Sequence, residues 1–170
     1  GFIVGKKKSL KTYIPGAIAL VLGIAAFCMM FLDAVKYSAD AIVTTVSYKY
    51  SGSQLAFGYK ETALGQDVTI LNFNFMVFLA FLLPLAGGIL GLLSGKSFIL
   101  KIIATACFVV GAVFMFSTTG FANIGMSDSQ AELIKHMDVA LCAGPIVGGV
   151  ISILGAVVCF FKKSIAKAFG

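Results

Sequence analysis

The chain of 170 residues contains no Arg, no Trp and a single His, and it has few charged side chains of any kind. Charged residues make up 12% of the chain and hydrophobic residues 59%, with a mean hydropathy of +1.02. A soluble domain of this length must cover its core with polar side chains, and this composition does not supply enough of them. The composition therefore predicts a membrane protein rather than a soluble one.

Motifs that mark catalysis are also absent from the sequence. It has no GxSxG, HExxH, P-loop or GxGxxG pattern and no CxxC pair. The cysteines all fall in or at the edges of apolar stretches, where a thiol is an inert small filler: Cys28, Cys107, Cys142 and Cys159. We expect no enzyme, no metal site, no cofactor and no disulfide.

The single histidine offers the one alternative to this expectation. His136 has Asp128, Glu132 and Asp138 nearby in sequence, and such a group could form a proton relay or a weak metal site. No second nitrogen or sulfur ligand accompanies them. We favour a solvated histidine at the membrane edge.

Four apolar stretches are long enough to cross about 30 Å of hydrocarbon, which takes about 20 residues. They cover 14–32, 73–93, 102–121 and 139–161, and none contains an internal Asp, Glu, Lys or His. The first exceeds the h-region of a signal peptide and has no A-x-A-like cleavage site, so we expect a retained helix. The predicted fold is a membrane all-α bundle of four transmembrane helices, with a small extracytoplasmic β-hairpin or sheet in the first outside loop.

The lysines predict the orientation of these helices. Segments 1–13, 94–101 and 162–170 hold nine lysines and no acid, whereas 33–72 and 122–138 hold four lysines and seven acids. By the positive-inside rule the first set is cytoplasmic, including both termini, and the second is extracytoplasmic. The sequence pI of about 9.2 therefore reflects the lysines on the predicted cytoplasmic side of a cell-membrane protein. No nucleic-acid partner is expected.

The longer outside segment, 33–72, alternates apolar and polar residues on both sides of Ser51-Gly52-Ser53. This period of two predicts a β-hairpin turning at Gly52, and 67–71 is a candidate third strand. The apolar residues at alternating positions, which we call the apolar parity, include Ile42, Val46, Tyr48, Tyr50, Leu55, Phe57 and Tyr59. In 122–138, Ser127 to Ser129 predict a helix start that leads directly into the fourth span.

Small residues recur every four positions in two spans, where they allow helix backbones to approach closely. The predicted packing positions are Gly87, Gly91, Gly95, Gly144, Gly148, Ser152 and Ala156. They could bind a partner protein or a second copy, or they could pack within the bundle, which we favour. Pro84 and Pro145 are interpreted as structural kinks.

A chain of four spans with a β-bearing first outside loop resembles the claudin-like tetraspan architecture in topology. The Trp-Gly-Leu-Trp segment and cysteine pair of claudins are missing, so no claudin residue or sealing activity carries over. The stretches 15–20 (PGAIAL) and 50–59 (YSGSQLAFGY) are similar to small four-span membrane proteins of low-GC Gram-positive bacteria. That similarity implies a bacterial source and no activity.

These features favour a non-enzymatic scaffold or accessory subunit of a membrane complex, acting through the first outside loop and the small-residue helix faces. Its partners would be the lipid bilayer and another membrane protein, or a second copy. The candidate interface residues are Tyr48, Lys49, Tyr50, Phe57, Tyr59 and Lys60. The alternative is a small oligomeric transporter or channel, whose lumen could be lined by Asn72, Asn74, Thr105, Ser117, Thr118 and Ser152.

Overall fold

The computed structural model describes residues 2–40, 42–95 and 97–168, and the side chains from Tyr13 onward within these ranges except that of Ala63. The helices are α1 (Phe2–Cys28), α2 (Gly52–Phe57), α3 (Phe75–Leu93), α4 (Phe98–Phe116), α5 (Thr118–Phe121), α6 (Asp128–Ile134), α7 (Ala143–Phe160) and α8 (Lys162–Ala168). The strands are β1 (Asp33–Asp40), β2 (Thr45–Ser51), β3 (Tyr59–Ala63), β4 (Gln66–Leu71) and β5 (Asp138–Leu141). A short 3-10 turn joins α1 to β1.

Within the described ranges, four helices are long and apolar enough to cross a membrane, as the sequence predicts. Their apolar parts are Tyr13–Phe31, Phe75–Leu93, Phe98–Phe116 and Ala143–Phe160. The third begins earlier than the predicted 102–121 because Ser97 caps α4, its hydroxyl accepting a hydrogen bond from Leu100 N at 3.3 Å. Lys101 therefore lies in the first turn of the helix rather than before it.

The four long helices form a ring in which α1 and α4 each pack against both α3 and α7. The five strands of the described residues, with α2, α5 and α6, connect the helices at one end, which we call the β end. The turn between α3 and α4 and the helix α8 lie at the opposite end. We call it the lysine end because it carries Lys101, Lys162, Lys163 and Lys167. The side chains of Lys6, Lys7, Lys8 and Lys11, and the whole of Lys96, lie outside the described part of the chain.

Glycines allow the helices of the ring to touch backbone to backbone. A Cβ added at Gly23 of α1 would lie 2.5 Å from the carbonyl oxygen of Pro84, and one at Gly88 would lie 2.8 Å from Ala19 O. Phe108 fills the space left by Gly87 and Gly155, where an added Cβ would lie 2.9 Å and 2.4 Å from its ring. Each glycine is thus a place where a larger residue would separate two helices.

The predicted small-residue faces lie inside this ring. Gly87, Gly91, Gly144, Gly148, Ser152 and Ala156 are all buried. Gly95 differs from the others, because it follows the end of α3 with φ 51° and an added Cβ there would meet nothing within 4 Å. A residue with this φ is a turn residue at the end of a helix rather than a packing residue.

The predicted hairpin around Gly52 is wrong, although a small sheet is present. Ser51 accepts a hydrogen bond from Gln54 N, and the Gln54 side chain accepts one from Ser51 N, so the segment forms a capping box and opens α2. Within residues 33–71 the antiparallel pairs are β1 with β2, and β3 with β4. The predicted third strand at 67–71 corresponds to β4.

The strand β5 completes the larger sheet, whose order is β2-β1-β5, and it occupies the start of the predicted fourth span, 139–161. Val35 pairs with Leu141 and Tyr37 with Val139 across β1 and β5. The prediction that the helix at 128–134 leads directly into the fourth span is therefore wrong. The chain becomes extended at Asp138 because β5 pairs with β1, and α7 begins only at Ala143.

Candidate functional site

The core of the β end is continuous with the adjoining ends of the long helices and joins the two segments that connect them there. Tyr50 of β2 accepts a hydrogen bond from the Gln130 amide of α6, and both side chains are buried. The Tyr37 and Tyr50 rings pack with centroids 6.3 Å apart. Burial raises the pKa of each of these phenols to about 12. The β end is therefore an ordered unit and not a pair of loose loops.

The tips of both hairpins present aliphatic side chains to solvent. Ile42 and Val43, between β1 and β2, are 105% and 93% exposed, and Leu64, between β3 and β4, is 105% exposed. Surface aliphatic residues are ordinary when scattered, but these are the most projecting positions of two separate hairpins. The two tips therefore offer apolar contacts that nothing in the described chain uses.

Leu64 also has an unfavourable backbone conformation. It forms a two-residue loop with Gly65, and the two have φ 53° and 78°, as a type I′ turn requires. An L-residue other than Gly, Asn or Asp in this region costs about 1–2 kcal/mol. The turn geometry thus favours Gly or Asn at a position that holds a fully exposed leucine.

A shallow groove of about 310 Å³ lies at the base of the β3–β4 hairpin, beside the start of α3. Three predicted interface residues, Phe57, Tyr59 and Lys60, line it together with Gly58, Thr69, Leu71, Asn72 and Phe73. Phe57 packs edge-on against Phe78 with ring centroids 5.6 Å apart. A hydrogen bond of 3.2 Å from the Tyr59 hydroxyl to Glu61 raises the pKa of that phenol.

The remaining predicted interface residues lie on β2. Lys49 is exposed and directly opposite Lys36 of β1, a like-charge pair that is unfavourable unless an anion comes near. Tyr48 is half-buried against the core of the β end. Tyr50 is only 5% exposed, so its side chain packs beneath the candidate interface and does not form part of it.

A second depression, of about 630 Å³, opens between β1, α5 and α6. Its lining mixes apolar with charged side chains: Tyr37, Thr119, Asn123, Asp128, Ala131, Glu132, Ile134, Lys135, Met137 and Val139. His136 is exposed and does not line it. Among the described side chains no three His, Cys, Asp or Glu groups come close enough together to hold a metal ion.

Four of the six residues predicted as possible lumen-lining positions hydrogen-bond to backbone groups. Thr105 and Ser152 donate to carbonyl oxygens one turn earlier in their own helices, and Thr118 of α5 donates to Met115 O of α4, each at 2.8 Å. Asn74 caps α3 and donates to Phe121 O at 2.8 Å. Asn72 and Ser117 are exposed near the β end.

The hairpin tips are functional candidates that the sequence prediction missed. Ile42 is placed there only among the apolar residues of a predicted strand, and Leu64 is not singled out at all. A detectable signal was present, because Leu64-Gly65 separates two alternating segments as a two-residue turn would. The sequence also alternates through Val35-Lys36-Tyr37-Ser38, which is the pattern of β1.

The described chain thus consists of four long apolar helices that a mixed α/β unit joins at one end. Comparisons with known proteins find no matching family model, no matching curated protein and no matching solved structure. The resemblances drawn from the sequence thus stay predictions, and the surface itself must support any functional proposal.

Proposed function

We propose that the protein is a non-enzymatic accessory subunit or scaffold of a complex in the cell membrane. Its four helices cross the bilayer with the lysine end in the cytoplasm, and its β end binds the extracytoplasmic part of another membrane protein. The positive-inside rule supports this orientation, because nine lysines and no acid occur in the sequence segments of the lysine end.

The observation that carries the proposal is the pair of aliphatic hairpin tips. Ile42, Val43 and Leu64 expose their whole side chains, and Leu64 does so from a backbone conformation that Asn would adopt more easily. Exposed apolar projections on an ordered unit are typical of protein contact sites. The partner surface would be apolar where it meets the tips.

Lys36 and Lys49 support the same proposal with a charge. Two ammonium groups directly opposite each other on adjacent strands repel, and an acidic side chain from a partner would relieve that repulsion. The expected partner therefore combines an apolar patch with an acidic one. Lys49 is the more exposed of the two lysines and the better position to test.

The test is a tagged purification from native membranes in mild detergent, followed by mass spectrometry with stoichiometry. The unmodified chain should bring down a partner in a fixed ratio. Replacing the tips together, with Ile42→Ser, Val43→Ser and Leu64→Asn, should reduce recovery of that partner at least about tenfold, equivalent to about 1.4 kcal/mol. Lys49→Glu should reduce it by a smaller factor.

Val68→Thr is the matched control, because Val68 is a 44% exposed aliphatic residue within β4 and not at a hairpin tip. It should leave recovery unchanged. Leu64→Asn alone should bind less partner while unfolding at a higher temperature, since it relieves the turn. Full recovery with all three tip residues replaced would refute the proposal. Recovery of the unmodified chain with copies of itself alone would favour the oligomeric transporter or channel.

A further inference from the structure

A groove runs between α4 and α7 on the outer surface of the helix ring. It has a volume of about 420 Å³ and is lined by Thr105, Val109, Ala112, Val113, Phe116, Ile153, Ala156, Val157, Phe160 and Phe161. The one hydroxyl among these residues, on Thr105, donates to Lys101 O at 2.8 Å, so the threonine can present its methyl group. The lining therefore matches hydrocarbon and offers nothing to a polar solute.

The length of the groove fits one extended acyl chain. At a rise of 1.5 Å per residue along α4, the groove is about 16 Å long from Thr105 to Phe116, and its part from Thr105 to Ala112 lies within about 16 Å of Lys101. One leaflet contributes about half of the 30 Å hydrocarbon core. The groove also opens sideways between two membrane-crossing helices, so a lipid can enter it without leaving the bilayer.

Positive charge lies at the mouth of this groove on the lysine end. Lys101 Nζ is 5.4 Å from the ring centroid of Phe160 and 5.9 Å from that of Phe98, within the range of cation–π attraction. These rings hold the ammonium group one helical turn beyond Thr105. An ammonium group there can bind the phosphate of a lipid whose chain occupies the groove.

Lys162 adds a second cation beside the groove-lining Phe161. Its buried ammonium group donates to Gly91 O at 3.0 Å, to Gly95 O at 3.3 Å and to the Ser94 hydroxyl, so it caps the end of α3. All these partners are neutral. The sequence segments of the lysine end contain no Asp or Glu, so this chain provides no acidic partner there for either lysine.

We propose that the α4–α7 groove is a binding site for an anionic phospholipid of the leaflet on the lysine end. One acyl chain occupies the groove and the headgroup phosphate pairs with Lys101. Phosphatidylglycerol represents this class, and phosphatidylcholine with identical chains would fill the groove but lack the net negative charge. The site lies at the opposite end of the molecule from the proposed partner surface, and its test is independent of that surface.

The experiment is native mass spectrometry of the purified full chain, titrated with dioleoyl phosphatidylglycerol or dioleoyl phosphatidylcholine in the same micelle. The unmodified protein should retain phosphatidylglycerol preferentially. Lys101→Gln should reduce that preference about fivefold, the factor equivalent to about 1 kcal/mol per lysine at a membrane surface. Lys167→Gln, an exposed lysine of α8 that does not line the groove, should leave the preference unchanged.

A second pair of variants tests the groove itself. Val109 lines it and is 47% exposed, while the adjacent Val110 is 40% exposed and does not line it. Val109→Phe should reduce retention of both lipids several-fold, and Val110→Phe should not. If Val109→Phe fails to fold, Val113→Phe fills the same groove from the next turn.

Three results would overturn the proposal. They are equal retention of the two lipids by the unmodified chain, an undiminished preference in Lys101→Gln, and equal losses in Val109→Phe and Val110→Phe. A reduced preference in Lys101→Gln together with a loss specific to Val109→Phe would establish the site.

Discussion

Two buried side chains, Tyr37 and Tyr50, make the stability of the β end depend on pH. Both phenols are buried, at 4% and 5% exposed, and burial raises the pKa of each to about 12. A phenol whose pKa is higher in the folded state holds its proton more tightly there than in the unfolded chain. Its contribution to stability is complete below the ordinary pKa near 10 and is lost as pH rises toward 12.

We therefore predict that the β end loses stability between about pH 10 and pH 12. Tyr37→Phe removes one of the two phenols with little change in shape, so the loss of unfolding free energy across this range should be smaller, by at most about 3 kcal/mol. Unfolding curves at several pH values, together with tyrosinate absorbance, measure both effects. If Tyr37→Phe loses as much unfolding free energy between about pH 10 and pH 12 as the unmodified chain, folding does not raise the pKa of the Tyr37 phenol.

At the scale of elements, the helix ring depends on positions where no side chain fits between two backbones. The closest lies between α1 and α3, where a Cβ at Gly23 would meet the carbonyl oxygen of Pro84 at 2.5 Å. A backbone atom cannot rotate away as a side chain can. The two helices would have to separate, with loss of the contacts above and below that point.

Gly23→Ala should therefore destabilise the ring by about 1–3 kcal/mol, the usual cost of overpacking. Gly120→Ala is the control, because an added Cβ at this glycine of α5 would meet nothing within 4 Å. It should be neutral or slightly stabilising, as expected when Ala replaces Gly in a helix. Thermal unfolding in one detergent compares the two, and equal effects would disprove tight α1–α3 packing.

The sequence predicts the long helices better than the elements of the β end, for a physical reason. A span must have about 20 apolar residues whatever its neighbours are, so composition alone locates it. The capping box at Ser51 and Gln54 overrides a two-residue alternation that continues on both sides of Gly52. The pairing of β1 with β5 depends on which helix ends come together, and local sequence does not encode that.

The exposure of the candidate interface residues is likewise predictable from the sequence only in part. Lys49 and Lys60 of the polar parity are exposed. Phe57 and Tyr50 share the apolar parity, yet Phe57 is 54% exposed and Tyr50 is buried beside Gln130, 80 residues away. The α4–α7 groove arises from two helices that are distant in sequence. Exposure at a given position therefore follows from tertiary contacts that alternation alone does not reveal.

At the scale of the whole molecule, the orientation proposed for the chain can be tested by labelling. In a variant without the four cysteines, Thr44→Cys at the β end and Lys163→Cys at the lysine end are both exposed positions. Thr44→Cys should react with a membrane-impermeant maleimide in intact cells. Lys163→Cys should react only after permeabilisation, and the reverse pattern would invert the topology.

The pairing of β5 with β1 has a consequence for how the molecule is made. β1 follows the first helix out of the ribosome, whereas its partner Asp138–Leu141 is synthesised about a hundred residues later, directly before α7. Until then one edge of β1 stays open, and an open strand edge is a template for wrong pairing. Closure of the sheet thus coincides with delivery of α7, the fourth long helix, so a closed sheet marks a chain whose synthesis has reached α7.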